Sequence, residues 1–182
     1  TGFCSLINGG YYYEPHMVSK VVSPTGATVE NVEPRVLKQT ISASTSEKIV
    51  EYCNAVVTEG TGKTARPAGY AIGGKTGTSE KIDVLDENGN KTLDKIVSFV
   101  GIAPMDDPRY IILVALDTPS PSTGIYISGG VMAAPTVGAV MADILPYLEV
   151  TRAEEPVTAN VPDLTGMDRK QAEAALKDLG LT

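Results

Sequence analysis

Gly73-Gly74-Lys75-Thr76-Gly77-Thr78-Ser79 decides the fold, because it supports two readings that exclude each other. Extended backwards, Gly69-Tyr70-Ala71-Ile72-Gly73-Gly74-Lys75-Thr76 matches G-x-x-x-x-G-K-[ST] letter for letter, the pattern of a phosphate-cradling loop. Ile112-Leu113-Val114-Ala115-Leu116-Asp117 even supplies an apolar strand ending in an Asp that could hold Mg²⁺. Such a loop works only if a buried strand enters it and a helix leaves it, so that the helix N-terminus faces the phosphates. Ala65-Arg66-Pro67-Ala68 is no buried strand, and Gly77-Thr78-Ser79 followed by a turn-bearing polar stretch is no helix. The alternative is a strand over Ala71 to Ser79. Its alternation places the Thr76 and Thr78 hydroxyls on one face, suited to a carboxylate. Gly77 leaves the backbone open to a ligand lying close against it, and Lys75 adds positive charge.

The neighbouring segments agree with a strand. Ile96 to Ala103, closed by Pro104, reads as the next strand. Tyr110 to Leu116 reads as a third, apolar throughout and therefore expected to be buried on both faces. Short links between the three predict an antiparallel meander, with Glu80 to Lys95 as a polar insertion turning at Glu87-Asn88-Gly89-Asn90. Upstream, Ser42 to Gly60 carries a helical apolar face (Ile49, Val50, Cys53, Val56, Val57), and Ser44 with Glu47 reads as its capping box. Thr61 to Gly69 is a polar, basic loop. Downstream, Val131 to Leu148 reads as a second helix with Val137, Val140, Met141, Ile144 and Leu145 inward.

At the start, Phe3 to Gly10 reads as the last turns of a helix stopped by glycine, and Tyr11 to Tyr13 as a strand. His16 to Val22 and Ala27 to Val32 form a hairpin about Pro24-Thr25-Gly26. At the end, Thr151 to Asn160 has linker composition. Asp168 to Leu179 is a short amphipathic helix with Ala172, Ala175, Leu176 and Leu179 inward, in a unit too small to own a core. The fold class is α+β, an antiparallel sheet packed by helices.

The 182 residues carry 42% hydrophobic and 20% charged side chains, the balance of a globular chain, and a net charge of -7 argues against nucleic acid. No uninterrupted run of 18 apolar residues marks a bilayer span, and Thr1-Gly2-Phe3-Cys4 has neither the basic start of a signal peptide nor an initiator Met. Cys4 and Cys53 have no metal-ligand spacing and read as buried free thiols rather than a bridge. His16, the sole histidine, sits beside Pro15 and reads as structural, so a Ser-His-Asp triad is not expected. Asp106-Asp107 reads as a solvated turn.

These residues carry a resemblance. A Lys-Thr-Gly strand is the third signature of penicillin-recognising serine acyltransferases. Ile7-Asn8-Gly9-Gly10 with Glu14-Pro15-His16-Met17-Val18, Ser98-Phe99-Val100-Gly101-Ile102-Ala103-Pro104 and Gly130-Val131-Met132-Ala133-Ala134-Pro135 resemble passages of class B penicillin-binding proteins, in the same order. Val161-Pro162-Asp163-Leu164-Thr165-Gly166-Met167 through Gly180-Leu181 resembles the opening of a PASTA module. The resemblance implies a peptidoglycan D,D-transpeptidase anchored in the membrane and acting outside the cytoplasm, with a tail typical of Gram-positive bacteria. It implies no cofactor and no metal. Residues 1–150 would be the C-terminal part of the transpeptidase domain, 151–159 a linker, and 160–182 the start of the PASTA module.

By the same resemblance Lys75 and Thr78 are the catalytic residues, and Thr76, Gly77 and Thr78 bind substrate. Lys75 would contact the second-motif serine, and Thr78 would lend an oxyanion-hole amide, a donor of a kind worth about 3–4 kcal/mol. The partners implied are a D-Ala-D-Ala stem peptide and the β-lactams that mimic it. Residues 1–182 contain no S-x-x-K and no S-x-N; the nearest strings, Thr45 to Lys48 and Thr92 to Lys95, begin with threonine. The expectation is half an active site, inactive alone, completed by an upstream part of the same protein. The membrane anchor would also lie outside these residues. A non-catalytic penicillin or peptidoglycan sensor of the same fold is the main alternative, a carboxypeptidase or β-lactamase the second, a nucleotide hydrolase the remotest.

Overall fold

The computed structural model describes residues 1–67, 69–92, 94–152 and 163–178, and the chain divides into two units, Thr1–Arg152 and Ala153–Thr182. The first unit is built on a three-stranded antiparallel meander, β5 (Gly73–Glu80), β6 (Lys95–Ala103) and β7 (Tyr110–Asp117), in that spatial order. Register runs Lys75 opposite Val100, Thr76 opposite Phe99, Gly77 opposite Ser98, and onward Phe99 opposite Val114. Side chains alternate, so Gly74, Thr76 and Thr78 share a face with Phe99, Gly101 and Val114. Lys75 and Gly77 share the other with Val100 and Ser98.

The first face is covered by α3 (Ala134–Tyr147), whose Val137, Met141 and Leu145 are fully buried with Phe99, Val57 and Ile72. A Cβ on Gly101 would stand 2.3 Å from Val137 Cγ1, so the missing side chain sets how closely helix and sheet meet. With the turn before it, α3 is long and apolar enough to cross a membrane by length and composition, although it holds no unbroken apolar run of that length, and 44% of that stretch is buried in the fold. Val140, expected inward, is exposed. A smaller cluster of Ile7, Cys53 and Ile102 joins α1 (Gly2–Ile7) and α2 (Ala43–Thr58) to the sheet.

α2 forms where its apolar spacing predicts, but its cap is not the expected one. Ser42, not Ser44, is the N-cap, its hydroxyl accepting the Thr45 N–H. Ser46 is buried and otherwise engaged: its hydroxyl donates to the Leu6 carbonyl at 2.9 Å and accepts the Gly9 N–H at 3.0 Å.

β7 also differs from expectation. It pairs only with β6 among the described residues, and its side chains alternate between half-buried and exposed from Ile112 onward, with Leu113 at 62%. Ile112 and Val114 pack against the α3 core, whereas the opposite face, where it carries Leu113 and Ala115, has no such cover among the described residues.

α1 ends at Asn8 before two left-handed glycines, Gly9 and Gly10, as the glycine stop predicts. An arm follows. β1 (Tyr11–Tyr13) pairs with β4 (Val36–Gln39), a strand not anticipated, and β2 (Lys20–Val22) pairs with β3 (Thr28–Asn31) about the expected turn. Residues 81–94 leave the sheet as the insertion. Its tip is organised by Asp86, whose carboxylate accepts the N–H groups of Asn88 and Asn90 and the Asn90 side-chain amide. Those donors, the Asn90 N–H foremost, hold the Asp86 carboxyl below its ordinary range.

Of the second unit, α4 (Arg169–Asp178) lies where an amphipathic helix is predicted, with Ala172 and Leu176 half-buried. Most of the linker, together with Val161, Pro162 and the residues from Leu179 on, lies outside the described residues.

Candidate active site

β5 runs unbroken through Lys75 and Thr76 to Glu80, and no helix begins there. A phosphate cradle needs N–H groups at a helix start, so the nucleotide reading fails on backbone geometry. Among the described residues no three metal-ligating side chains cluster.

The strand splits its residues between two environments. Lys75 lies at a recess lined by Phe3, Leu6, Ile49, Tyr52, Cys53 and Val56, and its ammonium donates to the Thr76 carbonyl at 2.8 Å. Thr76 and Thr78 face the other way, as alternation predicts. Thr76 Oγ1 lies 3.4 Å from Thr61 Oγ1, and Thr78 Oγ1 accepts the Gly129 N–H at 3.3 Å. Lys75 is thus on the face opposite the hydroxyls, and the lysine and the threonines meet a common ligand only along the strand's outer edge. β5 has no ladder partner on that side among the described residues, so alternate N–H groups point away from β6.

Gly77 faces Ser98 on the neighbouring strand. A Cβ there would stand 2.5 Å from Ser98 Oγ, directly across the ladder. That oxygen can swing aside by rotation about the Ser98 side chain, and no other atom comes closer than 3.8 Å, so the ladder by itself tolerates a side chain here.

The wall behind the threonines is a single π-helical turn, Gly129–Ala133, running straight into α3 and capped by Ser128. It touches β5 and β6 backbone to backbone: a Cβ on Gly129 would be 2.0 Å from the Ser98 carbonyl oxygen and 2.6 Å from that of Gly77. Short π segments are found disproportionately at functional sites. Thr61, Ser98 and Gly129 are brought against Thr76, Gly77 and Thr78 by the fold, and sequence reasoning did not single them out for that place. The one available signal was the glycine pair before the helix.

The chain matches the penicillin binding protein transpeptidase domain over residues 2–142. It belongs to that family. Among curated relatives of this chain, Stage V sporulation protein D of Bacillus subtilis is 38% identical over 97% of the chain, and a probable peptidoglycan D,D-transpeptidase FtsI of Caulobacter vibrioides is 34% identical over 87%. The chain spans 28% and 27% of those proteins, about a quarter of their length. Among solved structures, penicillin binding protein 3 of Mycobacterium tuberculosis in complex with ampicillin aligns at TM-score 0.65 and 28% identity, over 84% of this chain and 34% of that one. The transpeptidase domain of penicillin-binding protein 3 from Burkholderia pseudomallei aligns at 0.62 and 27%, over 85% and 42%. The α+β class expected from the meander and its helices agrees with both.

Neither the lone histidine nor the cysteines add machinery. His16 is exposed on the arm, its Nδ1 3.2 Å from the Glu14 carbonyl oxygen, and Asp106 and Asp107 are exposed as expected. Both cysteines are free, as read, but only Cys53 is buried; Cys4 is exposed. Burial pushes the Cys53 thiol up, partly offset by the nearby Lys75 ammonium. A neutral thiol is a poor nucleophile, and Cys53, on the wall of the recess beside Lys75, is only 5% exposed. A maleimide at neutral pH should therefore add once, at Cys4, within the time that Cys53 stays unlabelled until denaturant is added. Equal labelling of both thiols, read by peptide mass, would contradict the packing of α2 on β5.

Proposed function

We propose that this chain supplies the third-motif wall of a peptidoglycan D,D-transpeptidase, whose acylatable serine lies on a segment outside residues 1–182. The observation that carries the reading is the exposed outer edge of β5 in a domain of this family, with Lys75 on one face and the paired Thr76 and Thr78 hydroxyls on the other. In the proposed reaction the serine hydroxyl attacks the carbonyl between two D-alanines. The C–N bond breaks, the terminal D-alanine leaves with the serine proton on its amine, and the acyl ester then passes to the amine of a second stem peptide. A β-lactam is attacked at its carbonyl instead, and its opened ring nitrogen takes the proton. Lys75 contributes positive charge on the nucleophile's side. Thr76 and Thr78 hold the terminal carboxylate, and the Thr78 N–H receives the developing oxyanion. The names of the relatives, peptidoglycan D,D-transpeptidase and penicillin-binding protein, support that substrate class. A membrane-anchored, extracytoplasmic parent with residues 160–182 opening a PASTA module belongs to the same proposal, supported at the tail by α4.

The test is intact mass after incubation with benzylpenicillin, run on residues 1–182 and on the longer protein. One adduct on the longer protein alone, mapped to a serine before Thr1, is the expected result. No adduct on either, while the longer protein retains peptidoglycan affinity, would replace the enzyme by a non-catalytic binder of the same fold. An adduct on residues 1–182 would overturn the assignment of the nucleophile.

A further inference from the structure

Thr61 opens the loop between α2 and β5, one hydroxyl among many in the sequence. Its surroundings single it out. The Glu59 and Gly60 N–H groups both close on the Ala55 carbonyl, and the Gly62 N–H closes on that of Val56 at 2.9 Å, so the chain leaves α2 on a fixed path. The Phe99 ring and Val56 occupy the space where a Gly62 side chain would be. The Thr61 carbonyl presses against Gly130 so closely that a Cβ there would be 2.2 Å from it, and Thr64 Oγ1 donates to the Gly130 carbonyl at 2.7 Å. Helix, sheet and π turn thus all pin the backbone of Thr61. From that backbone its hydroxyl stands 3.4 Å from Thr76 Oγ1, a few tenths of an ångström beyond an ordinary O–H···O bond and close enough to shorten into one when an anion draws on Thr76.

We infer that Thr61 is a positioning residue for Thr76, favouring ligands that present a carboxylate to the Thr76–Thr78 face. The inference rests on the acyl-transfer reading above. A hydroxyl has one proton and two lone pairs. The Gly129 N–H occupies a lone pair of Thr78 Oγ1, which leaves the Thr78 proton to donate outward. Thr61, donating to Thr76 Oγ1, frees the Thr76 proton in the same way. Two O–H groups then converge on an anion in charge-assisted bonds, and the chain from Thr61 through Thr76 to the carboxylate polarises in one direction, shortening its links. A neutral ligand gains little from that chain, because an uncharged acceptor polarises it weakly.

The experiment compares Thr61→Val and Thr61→Ser with the unsubstituted longer protein, by second-order acylation rates with benzylpenicillin and with its methyl ester. Thr61 is exposed, so neither change opens a cavity. Losing one neutral hydrogen bond corresponds to about a five- to ten-fold slower reaction of Thr61→Val with the acid, while the ester and Thr61→Ser stay within about two-fold. Wild-type rates for Thr61→Val with the acid would overturn the inference. So would equal slowing with acid and ester, the mark of a plain structural role. If the unsubstituted protein takes up no penicillin, the acyl-transfer reading itself fails, and the inference with it.

Discussion

Phe99→Ala should cost about 3–5 kcal/mol, the range for truncating a fully buried aromatic ring that its surroundings cannot refill. Two glycines make the site hard to refill. The ring lies against Gly62 and Gly74, where an added Cβ would come within 2.8 Å and 2.5 Å of it. Neither residue has a side chain to swing into the vacated space, and both belong to hydrogen-bonded backbone. On the α3 side, Val137 and Met141 are held by their own packing. For a domain of this size, about 2–4 °C of melting temperature per kcal/mol implies a drop on the order of 10 °C. Penicillin acylation of the longer protein should fall too, because the ring supports the strand that carries Lys75 and Thr76. A melting temperature lowered by no more than a degree or two would mean that the core closes over the gap, and that the glycines are not the rigid boundary the packing implies.

Gly129→Ala is expected to reverse the usual sign of a helix substitution. Alanine in place of glycine within a helix ordinarily stabilises by up to about 1 kcal/mol. Here the new methyl would meet the carbonyl oxygens of Ser98 and Gly77, both in the ladder between β5 and β6. Backbone oxygens in a paired sheet cannot rotate away, so either the π turn lifts off the sheet or the ladder bends. Overpacking of this kind costs about 1–3 kcal/mol. The functional loss should exceed the loss of stability, since lifting the turn removes the N–H that Thr78 Oγ1 accepts. The two effects separate by measuring melting temperature and acylation rate on the same preparation. Unchanged acylation in a folded variant would detach the turn from the site.

Much of this was legible because the signals are local. Apolar spacing in 49–57 and 137–145, glycine stops and a turn sequence at 87–90 predict α2, α3 and the insertion. Period-2 alternation alone assigns Lys75 and the threonines to opposite faces. What stayed hidden depends on partners far along the chain. Val36 to Gln39 puts two apolar residues side by side rather than alternating them, and becomes a strand only because Tyr11 to Tyr13 offers it hydrogen bonds. Ser42 to Ser46 contains four hydroxyls, and spacing alone does not tell that Ser42 caps the helix while Ser46 is engaged by Leu6 and Gly9, about 40 residues away. The apolar run of β7 records composition, not which of its two faces a helix covers. The site divides the same way: the Lys-Thr-Gly triplet is visible, whereas the hydroxyl from 15 residues upstream and the N–H from 51 residues downstream are brought to it by the fold.

The insertion between β5 and β6 has a practical consequence for handling the protein. Its base is tied down by the Lys81 N–H on the Asp94 carbonyl and by the Lys81–Asp117 ion pair, while its tip is a self-contained turn built around one carboxylate. Exposed tips of that kind accept foreign sequence readily. An epitope or a dye-bearing cysteine grafted between Glu87 and Gly89 would report on β5 from just beyond its end, leaving the register of the strand untouched.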